Sequence, residues 1–461
     1  MKCISREISD YTYEVKADGE TIVYSPILNM AKDVTTCLDD KDRDALVSQL
    51  GAMAQSRVAE GKSAILQIYR SPMDMDRMTI LPNFRCNFNC SYCYAAMGRS
   101  EVEMQHETLD VALDWFLDKG RLPGKSLYIH IVGGGEPIMS WSLVEAIVKK
   151  SSVAEKERGQ PIDVAMTTNG SLITEDKAQF LAQSNVLVNV SYEVIREVQN
   201  LQRGKCDDVE NGILALQRAG ARLAIRSTIS PVNVDRMPEM VDVVLKRFPS
   251  VRRLNLEAVM AGKPIFDSSE SLYCFLAKFH RGFEVASKRG AQRGLNVVSA
   301  ARLDFGVLKE RFCQGDLCLT PLGDIVVCHR VSSPKDGNYS RLVFGHIKDG
   351  RMMIDEDGYR QALRFSLDNR SECAQCFLRW HCGGLCIAKQ VSFPFEYFDA
   401  LCDSAREEGF AHLKNMVKND CQQLGVPAHS QRCSDMARSD YKGNQNEHRN
   451  GDNGGRRDLN G

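Results

Sequence analysis

Between Met78 and about Val259 the chain alternates six times between a short apolar, β-branched run and a longer stretch of helical periodicity. The strand candidates are Met78–Leu81, Leu127–Val132, Val164–Thr168, Val186–Val190, Leu223–Ile229 and Leu254–Ala258. Helical patterns lie between them. Ser140–Lys150 has Ser140 as its N-cap, and Thr174–Ala182 has Thr174 capping with acidic residues in its first turn. Repeats of this kind make an α/β domain with a parallel sheet wound by right-handed crossovers, as an open sheet or as a partial barrel.

The rest of the chain divides around this core. Residues 1–75 read as a small α+β unit, with short strands at Tyr11–Lys16 and Thr21–Tyr24 around the turn Asp18-Gly19 and a helix-prone segment from Met30 to Gln55. The repeats fill residues 76–260. A helical bridge follows over 261–310, patterned from Leu272 to Arg289. Residues 311–403 are cysteine-rich and turn-rich, as expected of loops held by metal rather than by a large apolar core. A C-terminal helix is expected over 404–433, beginning near Ser404. The segment 434–461, rich in Asn, Gly, Arg and Asp, is expected to be disordered.

Charge excludes little but points somewhere. A formal net charge of −1 gives no electrostatic reason for a nucleic-acid or membrane-surface partner. The first residues, Met1 to Glu7, hold no signal-peptide core, and no run of about 18 apolar residues is present. These features read as a cytoplasmic protein. Seventeen cysteines are then unexpected, because a reducing compartment does not maintain a disulfide framework. Clustered cysteines there bind metal or do redox chemistry.

The first cluster follows the strand at Met78–Leu81. Cys86, Cys90 and Cys93 stand in C-x3-C-x2-C spacing within eight residues. One loop can wrap three such thiolates around one centre. A [4Fe–4S] cluster usually takes four cysteines, so three leave one iron open for chemistry; a zinc site with a distant fourth ligand fits the spacing too. The motif, with aromatic Tyr92 before its third cysteine, resembles the signature of the radical S-adenosylmethionine (SAM) superfamily. The resemblance implies a partial (β/α)6 barrel of the TIM type and an open iron that chelates the amino and carboxylate groups of SAM. It also implies reductive cleavage to a 5′-deoxyadenosyl radical, with Tyr92 near the adenine.

Other strand ends fit that picture. After Leu127–Val132 comes Gly133-Gly134-Gly135-Glu136-Pro137. Glycines admit a close backbone approach, and Pro137 biases Glu136 toward an extended conformation. Gly134, Gly135, Glu136 and Pro137 match the stretch that receives the methionine amino group of SAM in the family. Asn169 and Ser191 also end strands, where parallel α/β folds build their sites. Alone, each reads as an ordinary turn residue. Ser191 and Arg203 resemble the pair that contacts the ribose and carboxylate of SAM in peptide- and protein-modifying members. The family usually places an acid and a Gly shortly after that Ser. Glu193 keeps the acid, but Val194 replaces the Gly, which puts the loop geometry and Arg203 in question.

The second array is Cys313, Gly323, Cys328, then Cys373, Cys376, Cys382 and Cys386, then Cys402. Zinc ribbons share such pairs. The full pattern nevertheless resembles the seven-cysteine signature of SPASM domains, which accompany radical SAM domains that modify peptides and proteins. With Cys318 as an eighth ligand, the resemblance implies two auxiliary clusters. Cys313, Cys318, Cys328 and Cys386 would hold the first, and Cys373, Cys376, Cys382 and Cys402 the second. Three [4Fe–4S] clusters and SAM are thus the expected cofactors. Sulfatase maturases of the family carry a catalytic Asp after the cysteine corresponding to Cys328. Here that position is His329, a weak candidate base, and the substrate expectation shifts to a ribosomally made precursor peptide. Residues 1–75 would then recognise its leader as an added strand. A reducing flavodoxin- or ferredoxin-type donor and oxygen sensitivity follow from the same chemistry. A sulfatase-type maturase and a zinc-stabilised binding module are the alternatives.

Overall fold

The computed structural model describes residues 3–35, 40–60, 65–66, 71–262, 264–364 and 371–423. The expected disordered tail, Cys37 and Cys433 lie outside them. Packing divides the chain into two units. The smaller comprises Met1–Ala64, Ala374–Phe377 and Glu407–Gly461, and the larger Ile65–Cys373 and Leu378–Arg406.

In the smaller unit, β1 (Ile4–Ser9), β2 (Thr12–Ala17), β3 (Glu20–Ser25) and β4 (Met30–Asp33) form an antiparallel meander in chain order. The two expected strands are β2 and β3. Asp18 and Gly19, both at positive φ, close them through the two-residue turn that matches strand twist. The helical reading of Met30 onward fails over its first four residues. They pair with Ile22 to Ser25 instead, which buries Ala31 beside Tyr24. Helix begins only at Asp40 and runs to Ala59, where Leu50 packs with Val23 and Val34.

The larger unit opens with β5 (Ile65–Leu66) and then carries the repeats: β6 (Arg77–Ile80), β7 (Leu127–Ile131), β8 (Ile162–Thr168), β9 (Leu187–Ser191), β10 (Arg222–Ile229) and β11 (Arg253–Ala258). A short β12 (Asn296–Val298) adds a seventh parallel strand beyond β11. Strand order in the sheet follows chain order without reversal, so every β–α turn falls on one rim, as in the barrel family of folds. After β13 (Leu308–Lys309), which pairs with β5, the chain returns to this sheet. β14 (Leu317–Leu319) lies parallel to β6, and β15 (Asp324–Val326), β16 (Val343–Lys348) and β17 (Arg351–Ile354) continue antiparallel.

All six expected strands are present, and so are the intervening helices. Trp141–Arg158, Glu175–Gln183, Cys206–Arg218 and Met237–Arg247 bury apolar stripes against one face of the sheet. Thr174 caps its helix as expected, accepting from the Lys177 amide at 3.4 Å. Ser140 does not. A turn of 3-10 helix, Pro137–Ser140, precedes Trp141, and the Ser140 hydroxyl accepts from Asn83 Nδ2 at 2.6 Å instead. The bridge helix runs from Ser269 to Ala291 and the C-terminal helix from Phe398 to Gln423, earlier than Ser404.

The two faces of the parallel sheet differ. Met78, Ile80, Ile129 and Ile131 belong to the apolar core. Ser227 points the same way as these, its hydroxyl 4.0 Å from Met240 Sδ on the covering helix. The alternate residues Thr79, His130, Thr167 and Arg226 therefore share the opposite, inner face.

Candidate active site at the strand C-termini

The loop after β6 is held against the turn after β7 by backbone contacts. Gly135 N–H donates to Asn83 O at 3.2 Å and Glu136 N–H to Arg85 O at 2.6 Å. A side chain on Gly135 would meet the Arg85 carbonyl oxygen at 1.8 Å. The close approach expected of this glycine is thus made by the cysteine loop itself.

Glu136 is 2% exposed. Its Oε1 accepts from the Ile138 amide at 3.0 Å and the Thr168 hydroxyl at 2.6 Å, and Oε2 from the Asn169 amide at 2.7 Å. Burial raises its pKa against these hydrogen bonds. The carboxylate ties the end of β7 to the end of β8. Asn169 carries the linkage onward. Its Nδ2 donates to Asn87 Oδ1 in the cysteine loop at 2.8 Å, and its Oδ1 accepts from the Ser171 hydroxyl at 2.8 Å.

Cys86 and Cys90 are half-buried, and burial raises both thiols. Each also feels Cys93 electrostatically, so the three thiols are mutual neighbours. Among the described residues no three His, Cys, Asp or Glu side chains converge closely enough for one metal ion. A single zinc needs its thiolates within about 4 Å of one another. Thiolates on separate irons of a cluster stand farther apart.

Tyr92, Glu193 and Arg203 form one buried knot. The Tyr92 hydroxyl donates to Glu193 Oε1 and accepts from Arg203 Nη1 at 2.8 Å, while Glu193 Oε2 accepts from Ser227 Oγ at 3.0 Å and Thr228 N at 2.9 Å. Burial opposes the charge of Arg203, but Tyr92, Cys90 and Glu193 outweigh it and hold its pKa up. Nε of Arg203 and Nε2 of Gln202 are buried with no hydrogen-bond partner among the described residues, leaving donors beside Cys90 for a polar ligand. Val194 adopts φ +64°, the left-handed conformation that a glycine would take without strain. The loop keeps that turn with a β-branched residue, and Arg203 reaches Tyr92. Ser191 ends β9 in register with Arg226 of β10.

A second thiol set lies in the same unit. The Cys313 thiol donates to Cys386, whose pKa falls to about 6, and Cys313 is raised by that bond and by burial. Cys328, raised to about 12 by burial, also feels Cys386. Cys318 on β14 is fully buried and feels Asp316 and Cys328. Cys313, Cys328 and Cys386 are thus mutual neighbours, and Cys318 adjoins Cys328. Of the other four, Cys373, Cys382 and Cys402 belong to the larger unit and Cys376 to the smaller.

Tyr94 neighbours both sets, feeling Cys93 of the first and Cys318 and Cys328 of the second. Its hydroxyl donates to Gly133 O at 3.1 Å. His329 lies edge-on to it, ring centroids 6.2 Å apart, with Nδ1 4.0 Å from Asp316. Burial, then His130 and the arginines 330, 77 and 226, push its pKa well below the ordinary value. Asp316 accepts from Thr79 at 2.6 Å, and His130 Nε2 meets Thr167 Oγ1 at 3.0 Å. These inner-face groups, together with Asp316 and Arg330, escaped the reading of the sequence. The available signal was polar residues on every second position of strands otherwise buried on both faces.

Comparison with known proteins agrees with this geometry. The model of the "Radical SAM superfamily" matches residues 80–244. Radical SAM cyclopropyl synthase TigE of Paramaledivibacter caminithermalis is 22% identical over 323 residues, 66% of this chain and 66% of that protein. Matches to uncharacterised proteins of Methanocaldococcus jannaschii and Methanothermobacter thermautotrophicus span 55% and 62% of those proteins, so the chain covers under two thirds of these relatives. In fold, native anSMEcpe with bound AdoMet and Kp18Cys peptide superposes with a TM-score of 0.58 at 18% identity, over 74% of this chain and 99% of that one. Streptococcus suis SuiB bound to precursor peptide SuiA gives 0.51 at 15% identity, over 86% and 99%. The family model thus identifies residues 80–244 as a radical SAM domain.

Proposed function

We propose that this chain is a peptide maturase that uses SAM and three [4Fe–4S] clusters to abstract hydrogen from a ribosomally made precursor peptide and cross-link or oxidise it. The observation that supports this reading is that Tyr94 neighbours Cys93 of the first thiol set and Cys318 and Cys328 of the second, close to the strand ends that Glu136, Asn169 and the Tyr92–Glu193–Arg203 knot link. Cys86, Cys90 and Cys93 would hold the SAM-binding cluster. Cys313, Cys318, Cys328 and Cys386 would hold one auxiliary cluster, and Cys373, Cys376, Cys382 and Cys402 the other. When bound, SAM and its cluster supply a 5′-deoxyadenosyl radical that takes a hydrogen atom from the substrate.

The protein's own groups position and shield. Gly134, Gly135, Glu136 and Pro137 set the wall beside the cysteine loop, with the Glu136 carboxylate bracing it from behind. Arg203 presents a fixed cation and an unused Nε–H beside Cys90 and Ser191 lines the same rim. His329, kept neutral by burial, is a weak base in this setting, and Asp316, 4.0 Å from its Nδ1, would stabilise the charge if it took a proton. That this position holds His rather than Asp favours a peptide over a sulfatase substrate. SuiB, a neighbour in fold, is recorded with its precursor peptide, which supports the same choice. An electron donor of flavodoxin or ferredoxin type in the cytoplasm completes the scheme.

Anaerobically reconstituted protein should hold about twelve irons with matching sulfide. It should form 5′-deoxyadenosine from SAM under reduction. A triple Cys86→Ala, Cys90→Ala, Cys93→Ala variant should lose about four irons and all 5′-deoxyadenosine formation. Zinc without sulfide in the wild type would sink the reading.

A further inference from the structure

Two cations on the inner side of the barrel form no salt bridge with Asp or Glu among the described residues, although Arg330 feels the thiols of Cys328 and Cys386. Arg226 sits on β10, in register with Ser191 and Asn255. Its neighbour Ser227 turns outward to Glu193 and Met240, so Arg226 projects inward. Arg330 lies two residues past Cys328. Its guanidinium stands 4.6 Å over the Tyr94 ring, and it lines a cavity of ≈ 150 Å³ with Phe84, Tyr94, Gly134, Lys335 and Asp336, two cations to one acid. The two guanidinium groups are near enough to oppose each other's charge. Arg77 differs, having Asp316 at 4.0 Å and the Tyr128 ring at 5.5 Å.

Half-buried like charges without a paired carboxylate are unfavourable, and a fold that keeps them gains when a carboxylate arrives. Arginine forks are shaped for bidentate grip on a planar carboxylate. We propose that Arg226 and Arg330 bind a carboxylate of the substrate, so that the segment entering the barrel carries an acidic side chain or a chain terminus beside the reacting carbon. This rests on the peptide reading above. SAM also carries a carboxylate, but for it Arg203 offers a spare Nε–H beside Cys90, one of the SAM-binding thiols.

The test uses reconstituted holoenzyme and three small probes. N-acetylglutamate α-amide carries a side-chain carboxylate, N-acetylglutamine a terminal one, and N-acetylglutamine α-amide none. Binding is read by calorimetry. At least one acid should bind about tenfold or more tightly than the neutral probe, and Arg226→Gln or Arg330→Gln should each erase that preference. Stronger binding of the first acid assigns an acidic residue, and of the second a chain end. Equal binding of all three probes overturns the proposal, as does loss of SAM affinity in either variant. Substrate-free 5′-deoxyadenosine formation should persist in both variants. Its absence from the wild type would instead refute the radical SAM maturase reading.

Discussion

Gly135 and Val194 are single residues whose backbones decide the shape of the rim. At Gly135 the obstacle is backbone, the Arg85 carbonyl carbon and oxygen at 2.5 and 1.8 Å from a would-be Cβ, which no rotamer change relieves. Gly135→Ala should therefore push the cysteine loop off β7. A fall in bound iron, with a melting temperature below that of Gly337→Ala as a control in open space, is the expected result; unchanged iron content would show that the loop can shift at no cost. Val194 shows the opposite case. Its sequence departs from the family's glycine, yet the turn survives at φ +64°, because a side chain 1% exposed is held by packing. Strain of about 1–3 kcal/mol at such a position is offset by burial of similar size. Local sequence predicted trouble there, and only the packed environment explains why the loop closes.

Elements are tied together here by side chains at their ends. The hydroxyl of Thr168 at the end of β8 donates to the carboxylate that ends β7 and accepts from Gly170 N–H at 3.0 Å, all of it buried. Thr168→Val keeps the shape and removes the donor, and should cost about 1–3 kcal/mol, with Thr168→Ser recovering most of it. Chemical denaturation of the three proteins would measure this, and a Val variant as stable as wild type would contradict the linkage. The six strands were legible because residues such as Ile129, Val164, Val188 and Ile225 mark continuous apolar runs. β4 was not, since Met30-Ala31-Lys32-Asp33 has no strand pattern of its own and is recruited by the edge of β3. Nor was the inner-face polarity, because Thr79, His130 and Arg226 are each single interruptions whose common facing appears only when the strands align. The cysteine motifs were plain, but the inward commitment of Glu136 depends on Thr168 and Asn169, 32 and 33 residues away.

Across the whole molecule, buried histidines make stability depend on pH. Burial, reinforced for His130 by Arg77 and Arg226 and for His280 by Arg302 and Lys389, lowers both to about 3. An unfolded histidine titrates near about 6.5. Between these values the unfolded chain binds the extra protons, so stability rises with pH across the window and is lost as pH falls from about 6.5 toward 3. The raised carboxyls Glu136, Glu193 and Asp316 act in the opposite sense, their folded forms retaining protons as pH climbs above the ordinary carboxyl range. Between about pH 7 and 5.5 unfolded histidines take up their protons, while unfolded carboxyls, near about 4, are already ionised. The melting temperature should fall across that interval, and less steeply in His130→Gln; parallel slopes would place the effect elsewhere.

The bond pattern between β6 and β14 bears on how proteins like this can be cut and recombined. Leu317, Cys318 and Leu319 lie against Met78, Thr79 and Ile80, so the cysteine-bearing hairpin is stitched along the first strand of the barrel. Removing everything after the bridge helix would strip that border and leave a naked, apolar ribbon ready to stick to its own kind. Grafting a different C-terminal module would demand a donor whose leading strand already fits this seam.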